Sequence, residues 1–211
     1  MANNKHKHEL TNQKQEDSSS FLFGFFANYL KPSAYLTSIN EIDLDTLKHQ
    51  GIKLIICDLD NTLVPHFTKF PTKYAKDFVE EVKKRDFHFV LVSNNTKKRV
   101  SFFSEKLGLS DYIASAKKPF PWAIKKTLKR LKVKPQETVI VGDMLITDTL
   151  AANFVHTESI LVQPLIDPER TVDRILSWFE KKVFKRLSKE NLIVKTETAK
   201  RSIYSEDYEI L

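Results

Sequence analysis

KLIICDLDNTLV, running from Lys53 to Val64, decides the fold. Its first half is a short apolar run, and its second half opens on two carboxylates. A strand buried on both faces reads this way, its polar residues beginning where the chain leaves the sheet. The pattern repeats outward. FHFVLVS (Phe87–Ser93) is a second such run, and TVIVG (Thr138–Gly142) is a third that again stops at an acid, Asp143. Ser159–Val162 and Tyr112–Ala114 are shorter candidates. Between them lie segments with helical periodicity: Thr72–Arg85, with Ala75, Phe78, Val79 and Val82 on one face, Lys97–Leu107, closed by Gly108, and Trp122–Leu131. Asp43–His49 reads as a short helix leading into Gly51, and a last helix is expected from about Pro168 to Leu187. Strands alternating with helices predict an α/β fold with a mostly parallel sheet covered on both faces. Such sheets bind ligands beyond the carboxyl ends of their strands, where Asp58, Ser93 and Asp143 fall.

The 211 residues suffice for one domain with extensions, and a composition 41% hydrophobic and 29% charged is globular. Residues 1–18 are polar and aperiodic, which predicts a disordered tail; 19–187 form the domain with an N-terminal extension, and 188–211 a C-terminal tail. Within that tail NLIV (Asn191–Val194) is a candidate edge strand. His6 and His8 alternate with lysines and read as solvated rather than metal-binding. No signal peptide is expected, because the first twenty residues lack an apolar core. The apolar run from Phe21 to about Leu30 is shorter than the roughly 20 residues that cross a bilayer. A single cysteine, Cys57, excludes an intrachain disulfide and suits a reducing, cytoplasmic location. Its place in the apolar run makes it strand filler rather than a reactive thiol. The formal net charge is +7, and residues 170–201 hold ten Lys or Arg against four Asp or Glu. That segment is either the solvated face of a terminal helix or a basic patch for RNA or anionic lipid.

Chemistry concentrates at the strand ends. Asp58 and Asp60, two residues apart, would both be costly beside an apolar sheet without partners. A divalent cation keeps such a pair ionised, and an all-oxygen site suits Mg2+. Asp58 can then attack phosphorus to give an aspartyl-phosphate. Asp60 can protonate the leaving oxygen and later deprotonate the hydrolytic water. The bland alternative is an Asx turn closing a strand. Three further parts follow in order. SNN (Ser93–Asn95) offers a hydroxyl at the next strand end, KKP (Lys117–Pro119) a cation, and GDMLITD (Gly142–Asp148) a second strand-end carboxylate, Asp143, with Asp148 one turn on. A metal, a lysine and a hydroxyl donor are what a transferring phosphoryl group needs around it.

DLDNT, SNN, Lys118 and GDMLITD, in this order over Lys53 to Val162, resemble the four motifs of the haloacid dehalogenase superfamily. The second acid in Asp58–x–Asp60–x–Thr62 is similar to that of its phosphatases. DLDNTLV, VSNN, the Ala116–Pro119 run and GDxLxTD, with LKPSAYLTSINEID (Leu30–Asp43) ahead of them, resemble the YqeG-type, class IIIA phosphatases of Gram-positive bacteria and plastids. The resemblance implies a three-layer, Rossmann-like core, with Asp58 and Asp60 catalytic. It implies Mg2+ on Asp58, Asp60 and Asp143, phosphate on Ser93, Asn94 and Lys118, and Thr62 and Asp148 in support. By the same pattern Lys118, beside the proline, is the phosphate lysine rather than Lys117. One departure is Met144, where relatives commonly carry Gln or Asn.

Pro65–Pro71 is too short for a cap domain, and so is the stretch between SNN and Lys118, so the enzyme is expected to be capless. Its substrate must then cover the site itself, which favours a lipid head group, a protein or a nucleic acid. His66, Phe67, Phe70, Phe120 and Trp122, mixed with Lys69 and Lys73, suit a membrane interface, unless Phe120 and Trp122 pack a helix onto the sheet. Phe21–Phe26 is likewise either an anchor or core. YqeG-type proteins are similar to mitochondrial phosphatidylglycerophosphatases, so phosphatidylglycerophosphate and peripheral contact with an anionic membrane are the first expectation. A soluble sugar or nucleotide phosphate is the second. An assembly factor for protein or RNA with a vestigial site is the third, disfavoured by the presence of both Asp58 and Asp60; nucleic acid is not the expected partner.

Overall fold

A computed structural model describes residues 27, 29–166, 174–193 and 195; Phe21–Phe26 and the polar N-terminal segment lie outside them. Six strands form one sheet: β1 (Ala34–Leu36), β2 (Leu54–Cys57), β3 (His88–Val92), β4 (Tyr112–Ile113), β5 (Thr138–Gly142) and β6 (Glu158–Val162). The order is β1-β6-β5-β2-β3-β4 with every pairing parallel. The chain winds outward from β2 through β3 to β4, then crosses to β5 and winds the other way. The direction therefore reverses between β2 and β5, which makes the crevice beyond their carboxyl ends the natural ligand site.

Alternation along the strands builds both layers. Ile55, Cys57, Phe89, Leu91, Val139 and Val141 face one side, where α1 (Leu44–His49), α2 (Lys73–Lys84) and α3 (Lys97–Lys106) bring Leu47, Phe78, Val79, Val82, Val100 and Phe103. Leu54, Ile56, Val90, Val92 and Ile140 face the other, under Ile124 and Leu128 of α4 (Trp122–Leu131) and Ala151, Ala152 and Val155 of α5 (Leu150–Val155). Each fully buried Ile, Leu or Val contributes about 1.5–3 kcal/mol through apolar area removed from water. Threonines start the two helices nearest the site: Thr72 Oγ1 accepts from Ala75 N in α2, and Thr96 Oγ1 from Arg99 N in α3.

Three features differ from the sequence reading. AYL forms β1, too short to show an alternation, and pairs with β6 at the sheet edge. A π-helical turn, Leu145–Thr149, runs directly into α5, whose six residues hold too little pattern to stand out. Of the expected NLIV edge strand, Asn191 is in a turn (φ 55°) and Ile193 is buried, while Val194 lies outside the described residues; among the described residues the chain meets the sheet edge at the bridge from Lys195 to Tyr35. The last helix, α6 (Arg174–Lys189), packs Val183 and Leu187 with Ile193 onto Leu145 and Leu161. Among the described residues no helix is long and apolar enough to cross a membrane.

Candidate active site

Asp58 leaves β2 still paired to β5, its N–H donating to Val141 O at 2.9 Å. That pairing carries the carboxylate to the rim of the crevice without releasing the chain. Asp143 directly follows the last residue of β5, and Asp148 returns from the π-helical turn five residues later. The wide turn is what folds Asp148 back over the strand end. It does so at a position where a side chain on Gly142 could not fit: a Cβ there would lie 2.2 Å from Asp148 Cγ. Oxygens of Asp58, Asp143 and Asp148 all lie within 4.8 Å of one another.

Lys118 enters this cluster from the opposite side. Its Nζ is 2.8 Å from Asp58 Oδ1 and 2.6 Å from Asp148 Oδ1, and only 4% of the side chain is exposed. The Asn94 side chain fixes the lysine's backbone in both directions, accepting from Lys118 N at 2.7 Å and donating to Lys118 O at 3.0 Å. Asn94, expected on phosphate, thus spends its amide on the loop. Lys117 points to solvent with φ 57°. Ser93 is buried at the end of β3, where its Oγ accepts from Asn95 N. Thr62 Oγ1 donates to Asp143 Oδ1 at 2.9 Å. Asp148 Oδ2 accepts from Met144 N at 3.2 Å and Thr147 Oγ1 at 3.1 Å.

Three carboxylates around one ammonium leave two negative charges uncompensated, and the electrostatics follow. Burial, then the charges of Asp148 and Asp58, push the Asp143 carboxyl well above its usual range. Burial also raises Asp148, against the pull of Lys118. Burial opposes the Lys118 charge, yet Asp148 and Asp58 outweigh it and hold the ammonium above its usual pKa. Asp58 Oδ1 sits at ion-pair distance from Lys118 but off hydrogen-bond geometry, so this buried oxygen lacks a hydrogen-bond partner. An all-oxygen cluster short of two positive charges, with an unsatisfied oxygen aimed into it, fits a divalent cation.

Asp60 stands apart. It was expected to share the metal by its two-residue spacing, but its carboxylate turns toward α3, and Asp148 is the third acid within reach of the cluster. Arg99 Nε and Nη2 approach Asp60 Oδ1 at 2.8 and 2.7 Å, and Asn95 Nδ2 donates to Oδ2 at 2.8 Å. Asp60 still lines the same cleft of about 600 Å³ as Asp58, Ser93, Lys118 and Asp143. The far wall of that cleft comes from Tyr35, Leu161, Pro164, Glu180 and Phe184. The Glu180 carboxylate accepts from Leu145 N and Ile146 N at the start of the π-helical turn. Neither Arg99 nor Glu180 was anticipated. Each lies on a helix among other charges, and only their contacts distinguish them. Phe67, Phe70, Phe120 and Trp122 are 60, 64, 53 and 63% exposed; none lines the cleft, though Phe67 follows the lining residue His66 and Phe120 stands two residues after Lys118, and Phe120 and Trp122 stack on each other rather than on the sheet.

A parallel sheet that reverses at β2/β5, carrying Asp58, Ser93 and Asp143 at its strand ends and Lys118 on the loop after β4, is the framework of a haloacid dehalogenase-like hydrolase. Residues 65–162 match that family's model. A protein of Bacillus subtilis (strain 168) named "Probable phosphatase YqeG" is 32% identical over 165 residues, which are 78% of this chain and 95% of that one. The chain belongs to the YqeG-type phosphatases of the haloacid dehalogenase-like hydrolases, and is a phosphoric monoester hydrolase. The mitochondrial phosphatidylglycerophosphatase GEP4 of Saccharomyces cerevisiae is 27% identical over 166 residues, 73% of this chain and 87% of that one. The ribulose-1,5-bisphosphate 5-phosphatase of Halopiger xanaduensis is 30% identical over 105 residues, 46% and 44% of the two chains.

Proposed function

We propose that the protein hydrolyses a membrane-presented phosphomonoester, phosphatidylglycerophosphate first among the candidates, through an aspartyl-phosphate on Asp58 and with Mg2+ as cofactor. The observation that carries the chemistry is the Lys118 ammonium set between Asp58 and Asp148, with Asp143 beside them. An Asp58 oxygen bonds to phosphorus as the bond to the leaving oxygen breaks, and Asp60 supplies that oxygen with a proton. Water then attacks phosphorus, Asp60 takes its proton, and the Asp58–phosphorus bond breaks to release phosphate. Lys118 and the Ser93 hydroxyl offset the charge on the phosphoryl oxygens. Asp58, Asp143 and Asp148 would hold the cation, whose part when bound is to polarise the phosphoryl group.

The lipid reading is supported by similarity to the yeast phosphatidylglycerophosphatase and by the exposed aromatics Phe67 and Phe120, which stand next to His66 and two residues after Lys118 of the cleft. Aromatic rings at a bilayer interface keep their apolar bodies inserted beside the head groups. A soluble sugar phosphate is the second reading, favoured by the partial likeness to the bisphosphate phosphatase. Phosphate release with Mg2+ decides between them, comparing phosphatidylglycerophosphate in vesicles with sugar and nucleotide phosphates in solution. The lipid should be turned over fastest and by Asp58→Asn not at all. Faster turnover of a soluble ester would move the assignment to that class.

A further inference from the structure

We propose that Arg99 is the positioning residue for proton transfer by Asp60, which it mounts on the loop at the cleft's mouth. The inference rests on the assignment of Asp60 as acid and base made above.

Arg99 stands in the first turn of α3, its backbone N–H accepted by the Thr96 cap, which aims its side chain along the strand ends. One guanidinium then serves three segments. Nε and Nη2 both approach Asp60 Oδ1 at 2.8 and 2.7 Å; Nη1 donates to Thr68 O at 2.8 Å and Nη2 to Pro65 O at 3.2 Å. The Phe103 ring backs the plane at 4.7 Å. Arg99 and Asp60 side chains are 19% and 18% exposed. A surface pair such as Arg130–Asp111, with 45% and 29% exposed, shows only one such contact. A planar, fixed fork is what arginine offers and lysine does not.

The consequence lies in how the carboxylate is held. Nε donates to Asp60 Oδ1, with Nη2 at ion-pair distance from the same oxygen, and Asn95 Nδ2 donates to Oδ2, so each oxygen is tied by one hydrogen bond and keeps one lone pair. With both oxygens tied, Arg99 sets the direction in which the carboxyl exchanges its proton. The same guanidinium fixes the Pro65–Thr68 loop, so Asp60 and that loop are held as one body.

The test compares wild type, Asp60→Asn, Arg99→Ala, Arg99→Lys and the double variant Asp60→Asn/Arg99→Ala with Mg2+. Two substrates are used: glycerol phosphate, whose alkoxide needs a proton to leave, and p-nitrophenyl phosphate, whose phenolate does not. Misplacing a reacting group by about 1 Å can cost ~10²-fold. Arg99→Ala should lose up to that much in kcat on glycerol phosphate, with KM little changed and a clearly smaller loss on the aryl ester. Arg99→Lys, which keeps charge and stem, should lose the same step at an unchanged melting temperature. Added guanidinium ion should restore part of the Arg99→Ala rate, and the double variant should be no slower than Asp60→Asn. Equal losses on both substrates, or additive losses in the double variant, would make Arg99 merely structural and overturn the proposal. If Asp60→Asn alone leaves glycerol phosphate turnover unchanged, the assignment of Asp60 fails first and this inference with it. If Asp60→Asn is slow and Arg99→Ala is not, only the inference fails.

Discussion

At the scale of single residues, the cluster predicts a trade of stability for function. Asp58, Asp143 and Asp148 crowd one ammonium, and neutralising one of them should relieve repulsion. Asp143→Asn is therefore expected to raise the melting temperature of chelator-treated protein and to abolish the stabilisation that Mg2+ should give the wild type. That stabilisation follows mass action, ~2.7 kcal/mol at a hundredfold excess over Kd. Lys118 behaves oppositely. Removing it leaves buried carboxylates unpaired, at about 3–5 kcal/mol for a broken buried pair, whereas exposed Lys117→Ala should change stability by less than about 0.5 kcal/mol. Urea melts of the two variants in chelator check this. Asp58, Lys118 and Asp143 could be picked out from sequence because each follows an apolar run or precedes a proline, which fixes its place at a strand end or loop base. Arg99 could not. In KKRV it is one of three cations in a helix start, and what selects it is reach across a fold that spacing alone does not draw.

At the scale of elements, the π-helical turn decides whether the site assembles. Its five residues bring Asp148 back against Gly142, where no Cβ fits. Gly142→Ala should push Asp148 off Lys118, costing about 1–3 kcal/mol of stability as overpacking does. Phosphatase activity should fall further than the melting temperature implies. The same turn is held by Glu180 from α6. Burial raises that carboxyl to about 7, against the help of the Ile146 and Leu145 N–H groups, from 4.5 unperturbed. Between those values the folded chain keeps a proton that the unfolded chain has lost. Stability is thus full below about pH 4.5 and declines as pH rises to about 7, by roughly 3 kcal/mol at 1.36 per unit. Glu180→Gln cannot ionise, so its urea stability, measured from pH 5 to 8, should lack that decline. The strands β2, β3 and β5 were readable because they are buried on both faces and bounded by acids or turns. α1, as short as α5, was readable from its Asp43 cap and Gly51, whereas β1 carries no such boundary and α5 has no side-chain cap of its own; tertiary pairing with β6 and packing on the sheet create them.

Across the whole molecule, the candidate site residues lie beyond the carboxyl ends of the strands. Phe67, Phe70, Phe120 and Trp122 are mostly exposed, so their removal should spare the fold. Phe67→Asp with Trp122→Asp is expected to weaken sedimentation with anionic vesicles while leaving p-nitrophenyl phosphate turnover unchanged. Apolar insertion resists salt, so the wild type should retain part of its vesicle binding where Lys and Arg attraction is screened. Wild-type protein that never sediments with vesicles would remove the exposed aromatics from the lipid reading.

The reversal of the sheet between β2 and β5 also sets a timetable for the nascent chain. β2 pairs with β3 on one edge and with β5 on the other, and Thr138 follows Cys57 by 81 residues. At about 5–20 residues per second, ribosomes leave that second edge of the central strand open for roughly 4–16 s. An unpaired, wholly apolar edge is a template for the wrong partner. Slow codons between residues 58 and 137 should therefore lower the yield of soluble protein more than the same codons placed after residue 162.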